Sequence, residues 1–175
     1  TMQSTSVMTK DYITSNNIII FDYEYDKPLN LEPNIQAHLK KIFFSNYELT
    51  DGLFEAYELN NNFKDLQFYG SRFNQPLANS LNNCTNLTHT EFGFYFDSPL
   101  ADSLNNCTNL THIEFGFYFD SPLADSLNNC ASLTNIVFDY CFDQPLGNSL
   151  NNCSKLTHLL FGKEFNHPLL NSLNN

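Results

Sequence analysis

The chain has no tryptophan, only six glycines, and only eight lysines plus arginines among its 175 residues. Each shortage excludes something. Against 19 aspartates and glutamates the few cations leave a formal net charge of −11. Phosphate backbones and anionic lipids are held by clustered Lys and Arg, so neither nucleic acid nor a membrane surface is expected as a partner. The longest apolar run, Ile18-Ile19-Ile20-Phe21, falls far short of the roughly 20 residues that span a bilayer as a helix. Thr1 to Lys10 lack the basic and apolar blocks of a secretory signal. Five cysteines without a C-x-x-C pair make neither a zinc site nor a redox motif. Their odd number suits reduced thiols and an intracellular setting. No nucleophile–base arrangement, phosphate-cradling glycine loop or paired catalytic carboxylate is present. The chain does not read as an enzyme, and no cofactor is expected.

What is present is a repeat. The phrase Phe-Asn-Gln-Pro-Leu at Phe73–Leu77 recurs, with substitutions, as Phe96–Leu100, Phe119–Leu123, Phe142–Leu146 and Phe165–Leu169. Each step (96−73, 119−96, 142−119, 165−142) is 23 residues. The columns Cys84, Cys107, Cys130, Cys153 and Leu87, Leu110, Leu133, Leu156 keep the same step, as do Phe92, Phe115, Phe138 and Phe161. Weaker copies precede them: Tyr25-Asp26-Lys27-Pro28-Leu29, Leu39-x-x-Ile42-x-Phe44, Phe63-x-x-Leu66-x-Phe68, and a degenerate start at Ile19 and Phe21. A fixed period of this size marks a solenoid whose coils share one core. We therefore expect seven turns. Residues 1–15 would form an N-terminal cap or tail and 16–175 a single repeat domain, divergent over 16–83 and regular over 84–175.

Within a repeat the periodicity changes midway. Ile113 and Phe115 are two apart and of strand-favouring types. Asp120-Ser121-Pro122 then offers a cap and a first-turn proline, and Leu123, Leu127 and Cys130 fall on one helical face. The expected fold is an α/β solenoid with parallel strands on a concave face and a short helix per coil on the convex face. Helices need roughly 8–10 Å where strands need about 4.8 Å, which is the reason to expect that curvature. A doubly wound sheet would not need an invariant step.

Leu-x-x-Ile-x-Phe resembles the strand signature of leucine-rich repeats, and Leu104-x-x-Cys107-x-x-Leu110-x-x-Ile113-x-Phe115 resembles the BspA-type variant. Phe-Asn-Gln-Pro-Leu followed by Asn-Ser-Leu is similar to the FNIP-type repeat of social amoebae and giant amoebal viruses. The resemblance covers nearly the whole chain and implies a non-catalytic scaffold that binds a protein partner. The asparagine or cysteine that usually follows the strand is replaced here by Tyr95, Tyr118, Cys141 and Glu164. Some other group must therefore satisfy the turn amides. Relatives of this type often carry an F-box, for which the residues before 16 leave no room, so no ubiquitin-ligase role is implied.

Candidate binding residues lie on the strand and at the corner after it. His89, His112 and His158 share a column with Asn135, and Glu91 and Glu114 follow two residues on. Alternation turns both columns outward. A metal or a pH-sensitive contact could use them, against the plain reading of a solvated face. Phe94, Tyr95, Phe117, Tyr118 and Tyr140 crowd the corner, where exposed aromatics either anchor partners or merely stack. The cysteine column reads as buried packing, with Cys141 the most exposed thiol. A structural or self-assembling protein is the alternative to a scaffold. Leu156, Leu159, Phe161, Leu169 and Leu173 would line an uncapped last repeat, through which two chains are expected to pair.

Overall fold

The computed structural model describes residues 7–8, 12–15, 17–22, 24–44, 72–78, 80–81, 83–169 and 172–173. Eight strands form one sheet in chain order: β1 (Val7–Met8), β2 (Tyr12–Ser15), β3 (Ile18–Phe21), β4 (Lys41–Phe44), β5 (His89–Glu91), β6 (His112–Glu114), β7 (Asn135–Val137) and β8 (His158–Leu160). From β3 onward every neighbouring pair is parallel. The molecule is thus a parallel β-solenoid of about five coils. β1 and β2 are antiparallel and lengthen the same sheet, with β2 pairing along all of β3. The N-terminal segment therefore lies edge to edge beside the first coil.

The register reproduces the repeat arithmetic. His89 stands beside His112, Asn135 and His158 in turn, and Thr90 beside Ile113, Ile136 and Leu159. β4 pairs directly with β5, Lys41 with His89, across 48 residues of chain (89−41). The seven-coil expectation places a strand in that interval. The described strands thus make six parallel rungs, and the Phe63–Phe68 copy lies outside the described residues.

The interior is a set of side-chain columns running down the stack. Phe73, Phe96, Phe119, Phe142 and Phe165 stack at 5.7, 5.9, 5.8 and 6.0 Å between ring centroids, within a few degrees of parallel. Phe92, Phe115, Phe138 and Phe161 form a second spine at 5.5, 5.1 and 5.5 Å. Contacts of 4.0 Å within a coil, as between Phe115 and Phe119, join the two. Such pairs add roughly 0.5–1.5 kcal/mol each beyond the area they bury. Leu87, Leu110, Leu133 and the four cysteines of the 23-residue column are fully buried, whereas Leu156 and Phe161 of the last coil are partly buried against that core.

The wall opposite the strands differs from the expected helix. Its backbone runs as successive turns: the amides of Ser126, Cys130 and Leu133 donate to the carbonyls of Leu123, Leu127 and Cys130, each three residues back. Ala78, Ala101 and Ala124 hold φ near +48°, and Gly147 takes the same place in the fourth copy. A left-handed residue just after the proline–leucine step stops a right-handed helix before its first turn closes. Ser103 and Ser126 Oγ then donate to Leu100 and Leu123 O at 2.6 Å, occupying carbonyls that a helix would use. Among the described residues the one α-helix is α1 (Pro33–His38), in the first coil. Without helices to widen this wall, the packing argument for a concave strand face lapses.

A side-chain ladder does run along the stack, but two residues after the corner column. Asn74, Asp97, Asp120, Asp143 and Asn166 each donate a backbone N–H to Oδ1 of the same-column residue in the preceding coil, beginning at Asp26, at 2.8–2.9 Å. Ser98 and Ser121 Oγ and Gln144 Nε2 donate to the same Oδ1 atoms. Each Asp or Asn therefore ties its coil to the next. Asn74 Oδ1 accepts in the ladder as the aspartates do, so an amide can serve in place of a carboxylate.

Two outcomes follow. Asp120→Ala should lower unfolding stability by about 1–3 kcal/mol, because Asp143 N–H and Gln144 Nε2 both lose their acceptor at roughly 0.5–1.5 kcal/mol each, while Asp120→Asn stays close to the parent in chemical denaturation. Ala124→Gly should raise stability by roughly 0.5–1 kcal/mol, because relief of the left-handed strain exceeds the added chain entropy. A lowered denaturation midpoint for Ala124→Gly would count against the positive-φ turn.

Candidate functional site

Alternation along three-residue strands sets the first candidate surface. Thr90, Ile113 and Ile136 point inward and are buried, while His89, Glu91, His112, Glu114 and Asn135 point outward. Thr90 brings a hydroxyl into a column that elsewhere carries Ile42, Ile113, Ile136 and Leu159, and its Oγ1 has no hydrogen-bond partner among the described residues.

The imidazoles of His89 and His112 stack at 4.4 Å, 6° from parallel. Their tautomers follow from the threonines beneath them. Thr88 and Thr111 Oγ1 donate to the carbonyls of Lys40 and Thr88 in the preceding coils. The same oxygens stand 2.9 and 2.8 Å from His89 and His112 Nδ1, so Nδ1–H is the donor and Nε2 the acceptor. Thr157 and His158 repeat the arrangement in the last described coil. Parallel rings send their Nε2 lone pairs along parallel lines rather than toward one ion. Among the described residues no three His, Cys, Asp or Glu side chains converge as metal ligands. Glu91 and Glu114 share the face, but the four side chains do not form a chelate.

Burial, then the neighbouring His112 and Lys41, pushes the His89 pKa down to about 4. The ring is therefore neutral across the physiological range, and its charge changes well below the window in which a histidine switch works.

The second surface is the corner. After each strand the turn Gly116-Phe117-Tyr118-Phe119 closes with Phe119 N–H donating to Gly116 O at 3.2 Å, and Phe96 to Gly93 in the coil before. Gly116 packs backbone to backbone on the preceding coil, where a Cβ would stand 2.2 Å from Gly93 O. That close approach keeps the corners in line. Phe94, Phe117 and Tyr140 stack at 5.0 and 4.9 Å and are half-buried. Tyr95 and Tyr118 stack at 5.6 Å outside them, meet the Phe rungs edge-on, and are 48% and 46% exposed. Their column continues as Cys141 and Glu164, with the amides of Tyr118, Cys141 and Glu164 donating to Phe94, Phe117 and Tyr140 O.

The thiols offer little chemistry. Burial pushes Cys84 and Cys153 up to about 11 and Cys130 to about 12, and Cys107 moves in the same direction. Cys107, Cys130 and Cys153 Sγ each stand 3.5 Å from a leucine carbonyl of the preceding coil. Cys141, half-buried, is also raised, by desolvation and then by Asp120, Glu164, Asp139 and Asp97. A nucleophilic thiol needs the opposite shift.

No protein-family model matches the chain, and no characterised protein matches it in sequence. Two solved structures align with most of it. Internalin C2 of Listeria monocytogenes is 11% identical with a TM-score of 0.38, covering 90% of this chain and 77% of that one. CroV588, described as a circular leucine-rich-repeat protein, is 18% identical with a TM-score of 0.27, covering 91% of this chain and 36% of its own. At such scores the likenesses carry no argument. The class stands on the chain's own register: a parallel β-solenoid. Among the described residues no helix is long and apolar enough to cross a membrane.

The lowered pKa gives a signed test. A histidine that resists protonation when folded contributes stability that is complete above its unfolded pKa near 6.5 and is lost as pH falls toward 4. Asn135 shows that the column accepts asparagine. Melting temperature should therefore fall less steeply between pH 6.5 and 4 in His89→Asn than in the parent, and parallel curves would refute the assignment.

Proposed function

We propose that the chain is a non-catalytic protein-interaction scaffold of the FNIP-like leucine-rich-repeat kind, and that its partner binds at the corner. The observation that carries this is the exposed pair Tyr95 and Tyr118. Tyrosine is intermediate in burial among residue types, and here two neighbouring coils hold a stacked pair outward on a rigid backing of Phe94 and Phe117. Tyrosines fixed in this way lose little side-chain entropy on binding, which is what makes aromatic residues the usual anchors of protein interfaces. Phe of the repeated phrase supplies the spine and its Asn or Asp the ladder, so the phrase serves architecture while the variable corner column is left for recognition.

The strand face of His89, Glu91, His112, Glu114, Asn135 and His158 is the second surface of the same scaffold. Its polar, hydrogen-bonded histidines suit the rim of an interface better than its centre. The end-to-end homodimer through the last repeat remains a separate proposal. There Leu160, Leu169 and Leu173 are exposed among the described residues.

Affinity capture from a cell lysate would compare the parent with Tyr95→Ser/Tyr118→Ser and with His89→Ala/Glu91→Ala/His112→Ala/Glu114→Ala. The tyrosine variant should lose its captured partners while melting within a few degrees of the parent. Equal recovery by the tyrosine variant, with loss in the strand-face variant, would move the site to the strands.

A further inference from the structure

We propose that two copies of the chain join through β8 as an antiparallel pair centred on Leu159, with Leu160 of each copy laid against His158 of the other. The inference rests on the end-to-end pairing named above and specifies its strand, its register and the side chain that drives it.

The backbone of the last described coil is the first argument. Each coil leaves two groups for the next. The carbonyls of Thr88, Thr111 and Thr134 accept amides from the following coil, and the amides of Phe92, Phe115 and Phe138 donate to its carbonyls. Thr157 O and Phe161 N–H are the same two groups one coil later, and among the described residues nothing takes them. β8 is the last strand of the sheet there. Backbone groups alternate sides along a strand, so Leu159, midway between Thr157 and Phe161, points its own N–H and C=O to the same open edge. An acceptor and a donor placed equally about one residue complement themselves under a two-fold axis. Phe161 N–H of each copy then meets Thr157 O of the other, and the two Leu159 residues exchange both of their bonds.

The side chains give the second argument. The outward column reads Glu91, Glu114, Val137, Leu160, and so loses its charge toward this edge. Exposed edges are normally guarded by charged residues, yet here the edge carries a leucine that is 58% exposed. Leu160 points away from the interior, so it lies outside the core that stacked coils share. In the Leu159-centred register His158 of the second copy stands directly opposite Leu160, in the closer kind of antiparallel pair. Leu159, partly buried against the core, meets Leu159 of the second copy on the inner face.

Charge permits the contact. From Phe73 to Ser154 the chain carries eight acidic residues and no lysine or arginine, whereas the residues after Ser154 carry Lys155, Lys163 and Glu164. The acidity that gives the chain its net charge of −11 therefore lies away from this edge. The register brings Lys163 toward Lys155 of the second copy, but Lys163 stands beside Glu164 and its Nζ is drawn back to the Tyr140 phenol oxygen at 3.1 Å. The two-fold axis stands perpendicular to the sheet. It joins the strand faces of both copies and carries the two tyrosine corners to opposite edges, so one dimer offers its partner two corners.

Sedimentation equilibrium of the parent should show a monomer–dimer equilibrium. Leu160→Glu should weaken it on the order of a hundredfold, since two leucines lose their apolar contacts and two carboxylates would enter the interface. Glu91 and Glu114 occupy the same column, so this variant should melt within a few degrees of the parent. The register is read by disulfide trapping in a Cys141→Ser background under mild oxidation with diamide. His158→Cys mixed with Leu160→Cys should cross-link, while Leu160→Cys alone should not. A parent that stays monomeric at high concentration overturns both this pairing and the end-to-end reading. A dimer that survives Leu160→Glu, or Leu160→Cys cross-linked to itself, overturns the Leu159-centred pairing while a dimer as such stands.

Discussion

Every coil of this solenoid depends on having its own counterpart one step away. A 23-residue turn of chain cannot enclose a core, so its apolar groups and its backbone amides find their partners in the neighbouring coil. The ladder from Asp26 through Asn74, Asp97, Asp120 and Asp143 to Asn166 is the clearest case, since each side-chain oxygen accepts from the backbone of the next coil. On the strand side the hydroxyls of Thr88, Thr111, Thr134 and Thr157 donate instead to backbone carbonyls of the preceding coil. Phenylalanine spines fill the space between. Stability is then nearly a sum over interfaces between coils, and loss of one rung weakens two coils at once.

That dependence divides the surface into two kinds of position. A column that faces a neighbour must repeat, because its partner is another copy of itself. An outward column is released from that requirement and can change from coil to coil. The tyrosine column reads Arg72, Tyr95, Tyr118, Cys141, Glu164, while the Phe73 spine one residue further along in each of these coils does not change. The His89 column is intermediate: it faces outward, yet its rings stack and its Nδ1 atoms are held by the threonines. Its chemistry is thereby spent on the fold, and burial holds His89 neutral.

The same division explains what could be read from the sequence. Strand positions, both phenylalanine columns and the buried cysteines follow from period and alternation alone, because those residues repeat for a reason that acts over one coil. The opposite wall was not legible in this way. Leu123, Leu127 and Cys130 have helical spacing, but chained turns that close every three residues place the same side chains inward. Only Gly147, standing where Ala101 and Ala124 stand, hints in the sequence that this position is left-handed. The ladder was also hidden, since the expected place for it is the corner column and it sits two residues later in the phrase. The direct pairing of β4 with β5 could not be seen either, because the Phe63–Phe68 segment carries the strand spacing.

A site on such a scaffold should appear where a column stops serving its neighbours. At the corner the inner rungs Phe94 and Phe117 stay aromatic and half-buried, and so provide a rigid base. The outer rungs Tyr95 and Tyr118 gain little from stacking on each other while nearly half exposed. Two large rings kept in water contribute less to folding than the same rings buried, and the cysteine and glutamate that follow in the column show that the coil closes without them. Their amides are bonded by Phe94 and its successors whatever the side chain is. The fold therefore tolerates tyrosine at this corner without requiring it, and that freedom is why the proposed binding surface is placed there.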